Sequence, residues 1–184
     1  MLKVIIILLF FSFYLPANSL PKDKIISQMK ITNNLSFNFL QTINNKSEDG
    51  KCIIEYPKKI FCEYNNINKK IIVSNGKSLV IKNRNNGTFY LYPLNKTALE
   101  FLLDKNYLIK KILSLKSRNI DNKYLNFKIL ENKSEINIFF DKKTFTLAGW
   151  QTEDIYQNLS ITFISTVKIN QAIKDEIFIL PKND

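Results

Sequence analysis

The sequence predicts a mainly β (α+β) protein, built on one large, curled antiparallel sheet of about ten or eleven strands with a few helices. Three observations predict it. Apolar and polar residues alternate in short runs along most of the chain, as in Leu35-Ser36-Phe37-Asn38-Phe39. Turn-forming clusters such as Asn75-Gly76, Asn85-Asn86-Gly87 and Asp141-Lys142-Lys143 separate those runs. Helical spacing appears in two places, residues 21–30 and 96–115.

The chain starts with Lys3, an apolar run from Val4 to Leu15, and the small residues Ala17-Asn18-Ser19. This pattern reads as a secretory signal peptide, residues 1–19, followed by a single domain over residues 20–184. The apolar run is shorter than the ~20 residues a membrane helix needs. In residues 21–30, Ile25, Ile26 and Met29 share one face of a short amphipathic helix, with Asp23 in its first turn. Leu35, Phe37 and Phe39 then mark the first strand, and the polar residues 44–50 read as a loop.

Next comes a hairpin, GKCIIEYPKKIFCEY over residues 50–64. Proline has no N–H for a ladder, so Pro57 belongs at the bend. Centring the bend there sets Cys52 opposite Cys62. Opposed antiparallel residues lie about 4.5–5.5 Å apart at Cα, within the ~4.4–6.8 Å a disulfide spans. Export to an oxidising compartment favours that bond.

Strands follow over 70–74, 78–82 and 88–92, the last with Phe89 and Leu91 set against Tyr90 and Tyr92. Pro93 ends the meander. In residues 96–115, Leu99, Leu102, Leu103, Leu108, Ile109, Ile112 and Leu113 carry a helical period. Thr97 and Glu100 have capping-box spacing, and a break falls near Asp104–Tyr107. Later strands carry Leu125, Phe127 and Ile129; Ile136, Ile138 and Phe140; residues 145–150 ending in Trp150; and Leu159, Ile161, Phe163 and Ser165. Residues 177–180 read as a closing strand.

The composition excludes several chemistries. The chain has no histidine, so a His-based triad and a His metal site are out. No Gly-rich phosphate loop occurs, and Asp141, Glu153 and Asp154 sit where Asp and Glu punctuate turns. The reading is of a non-enzyme with no cofactor and no metal. The net charge is +11, but the lysines fall in doublets at turns, such as Lys58-Lys59 and Lys142-Lys143. That is edge protection and solubility, with no nucleic-acid partner implied. What remains is apolar: one stripe on nearly every strand, which serves either an ordinary packed core or a lipid-sized cavity under a helical cover.

Several segments together resemble the outer-membrane lipoprotein carrier family, LolA. These are Gly50, Tyr56-Pro57 and Phe61-Cys62-Glu63-Tyr64; the run Ile72-Val73-Ser74-Asn75-Gly76-Lys77-Ser78-Leu79; Tyr92-Pro93-Leu94; and the Leu-rich stretch from Leu99 to Leu103. Further on come Phe140-Asp141, Leu147-Ala148-Gly149-Trp150, Asp154, the run from Leu159 to Phe163, and the closing Phe178 and Pro181. The resemblance implies an incomplete, strongly curved barrel with helices forming a lid over an apolar cavity. It implies a monomeric periplasmic shuttle for acylated lipoproteins or lipids, served by an inner-membrane lipoprotein-releasing transporter and an outer-membrane acceptor. The candidate lipid-binding residues are Phe37, Phe39, Ile54, Ile60, Tyr64, Leu79, Ile81, Phe89, Leu91, Phe127, Ile129, Ile138, Phe140, Trp150, Ile161 and Phe163. The lid candidates are Ile25, Ile26, Met29, Leu99, Leu102, Leu103, Ile109 and Ile112. The family often has Arg before the hairpin proline, where it holds the lid closed. Tyr56 stands there instead, so Tyr56 and Pro57 are the gating candidates, with a Tyr56 hydroxyl expected on a lid carbonyl. The alternative is an envelope sensor or protein-interaction module, or a carrier of another lipid, on the same fold.

Overall fold

The computed structural model describes residues 20–131, 134–153 and 158–183. Residues 1–19, where the signal peptide is expected, and Asp154 lie outside them. Among the described residues, eleven strands form one antiparallel sheet in the order β6-β5-β4-β3-β2-β1-β11-β10-β9-β8-β7. In chain order they are β1 (Asn34–Ile43), β2 (Lys46–Glu55), β3 (Lys59–Tyr64), β4 (Lys70–Asn75), β5 (Ser78–Asn83), β6 (Phe89–Pro93), β7 (Arg118–Ile120), β8 (Tyr124–Glu131), β9 (Ser134–Asp141), β10 (Leu147–Glu153) and β11 (Leu159–Ile169). The sheet curls without closing, because β6 and β7 at its two ends do not pair with each other. Three helices lie against its inner side: α1 (Pro21–Ile31), α2 (Leu99–Leu102) and α3 (Lys105–Ser114).

The hairpin forms with the expected register. Cys52 pairs Cys62, Ile54 pairs Ile60 and Gly50 pairs Tyr64, and the two cysteines are joined in a disulfide. Gly50 has a steric task. The rings of Phe39 and Tyr64 meet edge-on at 4.8 Å beside it, and a Cβ on Gly50 would lie 2.1 Å from the Glu63 carbonyl oxygen and 2.8 Å from the Phe39 ring. Gly50→Ala is therefore expected to lower unfolding free energy by about 2–3 kcal/mol, at the upper end of overpacking costs; a urea titration measures it, and an unchanged midpoint would contradict this reading.

Three local expectations need correction. Residues 46–49 are strand, not loop: β1 and β2 continue to the pair Ile43–Lys46, and Asn44 and Asn45 turn the chain with φ of 47° and 62°. Asparagine tolerates that left-handed conformation, and ladder pairing overrides the polar composition. The capping box does not form. Ala98 precedes α2 without a side-chain cap, the Thr97 hydroxyl donates to the Leu94 carbonyl, and Glu100 turns to Lys58. The helix breaks after Leu103, and Asp104 caps α3 by accepting from the Tyr107 N–H at 3.0 Å. Residues 177–180 are no strand; a 3₁₀ turn over Asp175–Phe178 crosses the outer side of β3 and β4, where Phe178 is buried. Lys59 holds it there, 3.0 Å from Asp175 and 5.4 Å above the Phe178 ring.

The interior has two halves of different character. In one, the helices fill the trough. Ile25, Ile26 and Met29 of α1 and Leu108 and Ile112 of α3 are buried in one cluster with Phe37, Phe127, Ile129, Ile136, Ile138 and Phe140 of the sheet. Two lysines bind α1 and α3 at their ends. Lys22 donates to the Leu115 carbonyl at 2.6 Å, and Lys105 donates to the Thr32 carbonyl at 2.7 Å. Each meets the last carbonyls of the other helix, where a cation is favoured. The second half is hollow.

Candidate functional site

A cavity of about 820 Å³ opens between the sheet and the Lys96–Leu99 end of the helical segment. Strands β1 to β6 supply one wall, from Phe39, Cys52, Ile60, Cys62, Tyr64, Ile72, Leu79, Ile81, Tyr90 and Tyr92; Trp150, Thr152, Ser160 and Thr162 of β10 and β11 supply the other. Beneath α2 the space vanishes: only about 10 Å³ remains among Ile54, Ile60, Leu99, Leu102, Leu103, Leu108, Leu147 and Trp150. That is at the lower limit for one water. Ile60, Leu99 and Trp150 border both spaces, so lifting α2 would extend the cavity into the seam beneath it.

Of the sequence-derived candidates, Phe39, Ile60, Tyr64, Leu79, Ile81 and Trp150 border the cavity. Phe37, Ile54, Phe127, Ile129, Ile138 and Phe140 are also on the inner side but are buried in the packed half. Four candidates have the wrong phase. On β6, register sets Tyr90 opposite Ile81 and Tyr92 opposite Leu79, so Tyr90 and Tyr92 face the cavity. Phe89 and Leu91 point to the other side, and Leu91 is 57% exposed. On β11, Ser160 and Thr162 face in while Ile161 and Phe163 face out. Phe163 is not wasted there. It packs on Tyr124 and Phe139 at 5.6 Å each, in room left by Gly149, whose Cβ would come 3.1 Å from the Phe163 ring. In both strands a period of two was legible, but its phase was not. Burial of apolar residues is the usual guide to phase, and beside a hollow it fails.

Ile72 was missed although the Asn75-Gly76 turn could have found it, since that turn pairs Ser74 with Leu79 and hence Ile72 with Ile81. Gln41, Thr152, Ser160 and Thr162 had no apolar signal at all. They make the cavity two-toned, where an all-apolar hollow was expected.

The lid residues Ile25, Ile26, Met29, Leu102, Leu103 and Ile112 are buried, and Leu99 and Ile109 are partly buried against the same cluster. The contact that ties the lid to the hairpin is not the expected one. The Tyr56–Pro57 bond is cis, Tyr56 donates its backbone N–H to the Asn33 carbonyl, and its ring lies 5.8 Å from the Lys105 ammonium. No hydrogen bond runs from the Tyr56 hydroxyl to a lid carbonyl among the described residues, and burial pushes that phenol's pKa up. Lys58, two residues on, meets the lid instead. Its N–H donates to the Leu103 carbonyl at 2.8 Å, and its ammonium lies 2.6 Å from Glu100 and 3.8 Å from Asp104. The hydrogen bond to Glu100 holds the Lys58 pKa above its ordinary value. The side chains are about a third exposed or less, so the pairs are worth below ~1 kcal/mol each.

The architecture defines a class: an unclosed antiparallel barrel whose helices cover part of an internal hollow. The chain belongs to the family described as outer membrane lipoprotein carrier protein LolA, whose model matches residues 30–180. A comparison with curated protein sequences returned no match. Among solved structures, an uncharacterized conserved protein from Thermus thermophilus is similar with a TM-score of 0.52 and 6% identity, over 89% of this chain and 93% of that one. A LolA superfamily protein from Nitrosomonas europaea matches at a TM-score of 0.44 and 9% identity, over 88% and 99%. A putative outer membrane lipoprotein-sorting protein domain from Vibrio parahaemolyticus matches at 0.47 and 7%, over 85% and 95%.

Proposed function

We propose that this protein is a non-enzymatic periplasmic carrier. It shields the acyl chains of lipoproteins and moves them from a releasing transporter in the inner membrane to an acceptor at the outer membrane. The observation that carries the reading is the hollow of about 820 Å³ with an apolar wall. An envelope sensor that recognised folded protein surfaces would have no use for it. Ligand sites of roughly 300–1,000 Å³ are the usual range, and each methylene removed from water contributes about 0.8 kcal/mol. The signal-peptide pattern of residues 1–19 supports export.

A carrier must also let go. In this reading the helical lid opens at its Lys58 contact, where the fastening is weak. Displacing α2 exposes Leu102 and Leu103 and spends part of the binding energy, so affinity stays moderate. Lys58→Met is expected to speed exchange of a bound fluorescent fatty acid several-fold while shifting stability by less than ~1 kcal/mol. Stopped-flow exchange measures it, and a wild-type rate would show that the pair does not hold the lid.

The test of the function is mass spectrometry of what co-purifies with the exported protein. Acylated lipoproteins are the expected cargo. Lipids alone would point to a carrier of another lipid, and no cargo together with no binding of a fluorescent acyl probe would remove the carrier reading.

A further inference from the structure

The two walls of the cavity differ in chemistry. The β3–β5 wall is apolar, built on Ile60, Ile72, Leu79 and Ile81. Across from it, Gln41, Thr152, Ser160 and Thr162 face the hollow. The last three are 8%, 5% and 2% exposed, so this is no solvated rim. Register makes them one block, with Gln41 opposite Thr162 and Ser160 opposite Thr152. The block is ordered internally. The Tyr64 hydroxyl donates to Gln41 Oε1 at 2.9 Å. That fixes the amide so that Nε2 donates to Ser160 Oγ and Thr162 Oγ1, each at 3.2 Å. Each of these hydroxyls therefore accepts from Gln41 and keeps its own hydrogen to donate.

A hydrocarbon lying on such a wall would displace water from buried hydroxyls and return no hydrogen bond, which costs affinity. The block itself carries no charge. Of the charged residues that border the cavity, Lys70 is paired with Glu48, and Lys96 and Glu153 are exposed. Neutral donors without a free cation in the block suit neutral acceptors.

We propose that Gln41, Thr152, Ser160 and Thr162 form a subsite for the uncharged, hydrogen-bond-accepting head region of the ligand. These acceptors are the ester or amide carbonyls at which acyl chains join their carrier group. The chains lie on the β3–β5 wall. The inference rests on the acyl-carrier reading and names which part of the ligand each wall takes.

The test is displacement of a bound fluorescent fatty acid by a 1-monoacylglycerol and by its alkyl-ether analogue of equal chain length. The two differ at the carbonyl alone. The ester is expected to compete at least about fivefold better, the equivalent of one modest hydrogen bond. In Ser160→Ala/Thr162→Val that advantage is expected to fall to about one. Equal competition by ester and ether in the wild-type protein would overturn the subsite while leaving acyl carriage standing; this comparison needs no variant to fold. An ester advantage that persists in the double variant would overturn its placement on this wall. Failure of the fluorescent fatty acid to bind at all would overturn the carrier reading and the subsite with it.

Discussion

Ile81→Trp is expected to weaken acyl binding, with affinity for a fluorescent fatty acid falling by at least about tenfold, and to leave the fold intact. Ile81 sits on β5 between Ile72 of β4 and Tyr90 of β6, and its side chain borders the hollow. In a close-packed core an indole in that place would force neighbours off their rotamers. Here it enters about 820 Å³ of space, so the added ring is accommodated by the volume the ligand would use. The stability change is expected to stay within about 1 kcal/mol, since overpacking is avoided and apolar surface is still covered. Leu91→Trp on β6 is the control. It points to the outer side and is 57% exposed, so the same indole there should leave binding unchanged. A fluorescence titration with a thermal melt on each variant reads both quantities. Wild-type affinity in Ile81→Trp would mean that acyl chains lie elsewhere on the molecule.

Replacing both cysteines, Cys52→Ala/Cys62→Ala, is expected to cost about 2.5–3 kcal/mol of stability, a magnitude that loop-closure entropy alone accounts for. The disulfide closes a loop of sequence separation 10. Both cysteines are buried and border the cavity, so no other part of the fold has to move when they are shortened. Urea denaturation of the oxidised protein, the reduced protein and the double variant measures it. The reduced protein should fall near the double variant, and a loss below ~1 kcal/mol would show that the hairpin is held by its ladder and the lid above it. Acyl binding is expected to survive below the new midpoint, which separates the staple from the site.

Much of the fold was legible because local chemistry and global topology agree. Pro57 at the bend set the register of β2 on β3, and with it the Cys52–Cys62 pair. The Asn75-Gly76 signal placed the hairpin turn between β4 and β5. The Leu-rich residues 99–103 announced a helix that must bury one face. Where the sequence misled, a long-range contact had replaced a local one. Glu100 had the spacing of a cap but answers Lys58 from the hairpin. Residues 46–49 are a different case: they had the composition of a loop, yet pair locally with the end of β1 across the Asn44-Asn45 turn. Tyr56 stands where a lid-holding arginine was expected, while the contact to the lid comes from Lys58. The candidate site was legible only on its apolar side. Phe39, Ile60, Leu79 and Ile81 followed from alternation. Tyr90, Tyr92, Ser160 and Thr162 did not, because the rule that apolar residues point inward presumes an interior without a hollow.

Local order in the chain was enough to settle ten of the eleven described strands, all but the short β7, together with most of their turns, the pairing of the cysteines and the helical face that covers the sheet. Each of these depends on interactions between residues close in the chain, through turn geometry, a period of two or a period of 3.6. Which half of the trough the helices fill, and which half stays empty, came from the assembled fold alone. So did the face of β6 and β11 that looks inward, and the polar wall of the empty half. Those outcomes depend on how far the sheet curls and where α2 and α3 come to rest against it, and such distances are set by the summed packing of residues far apart in the chain.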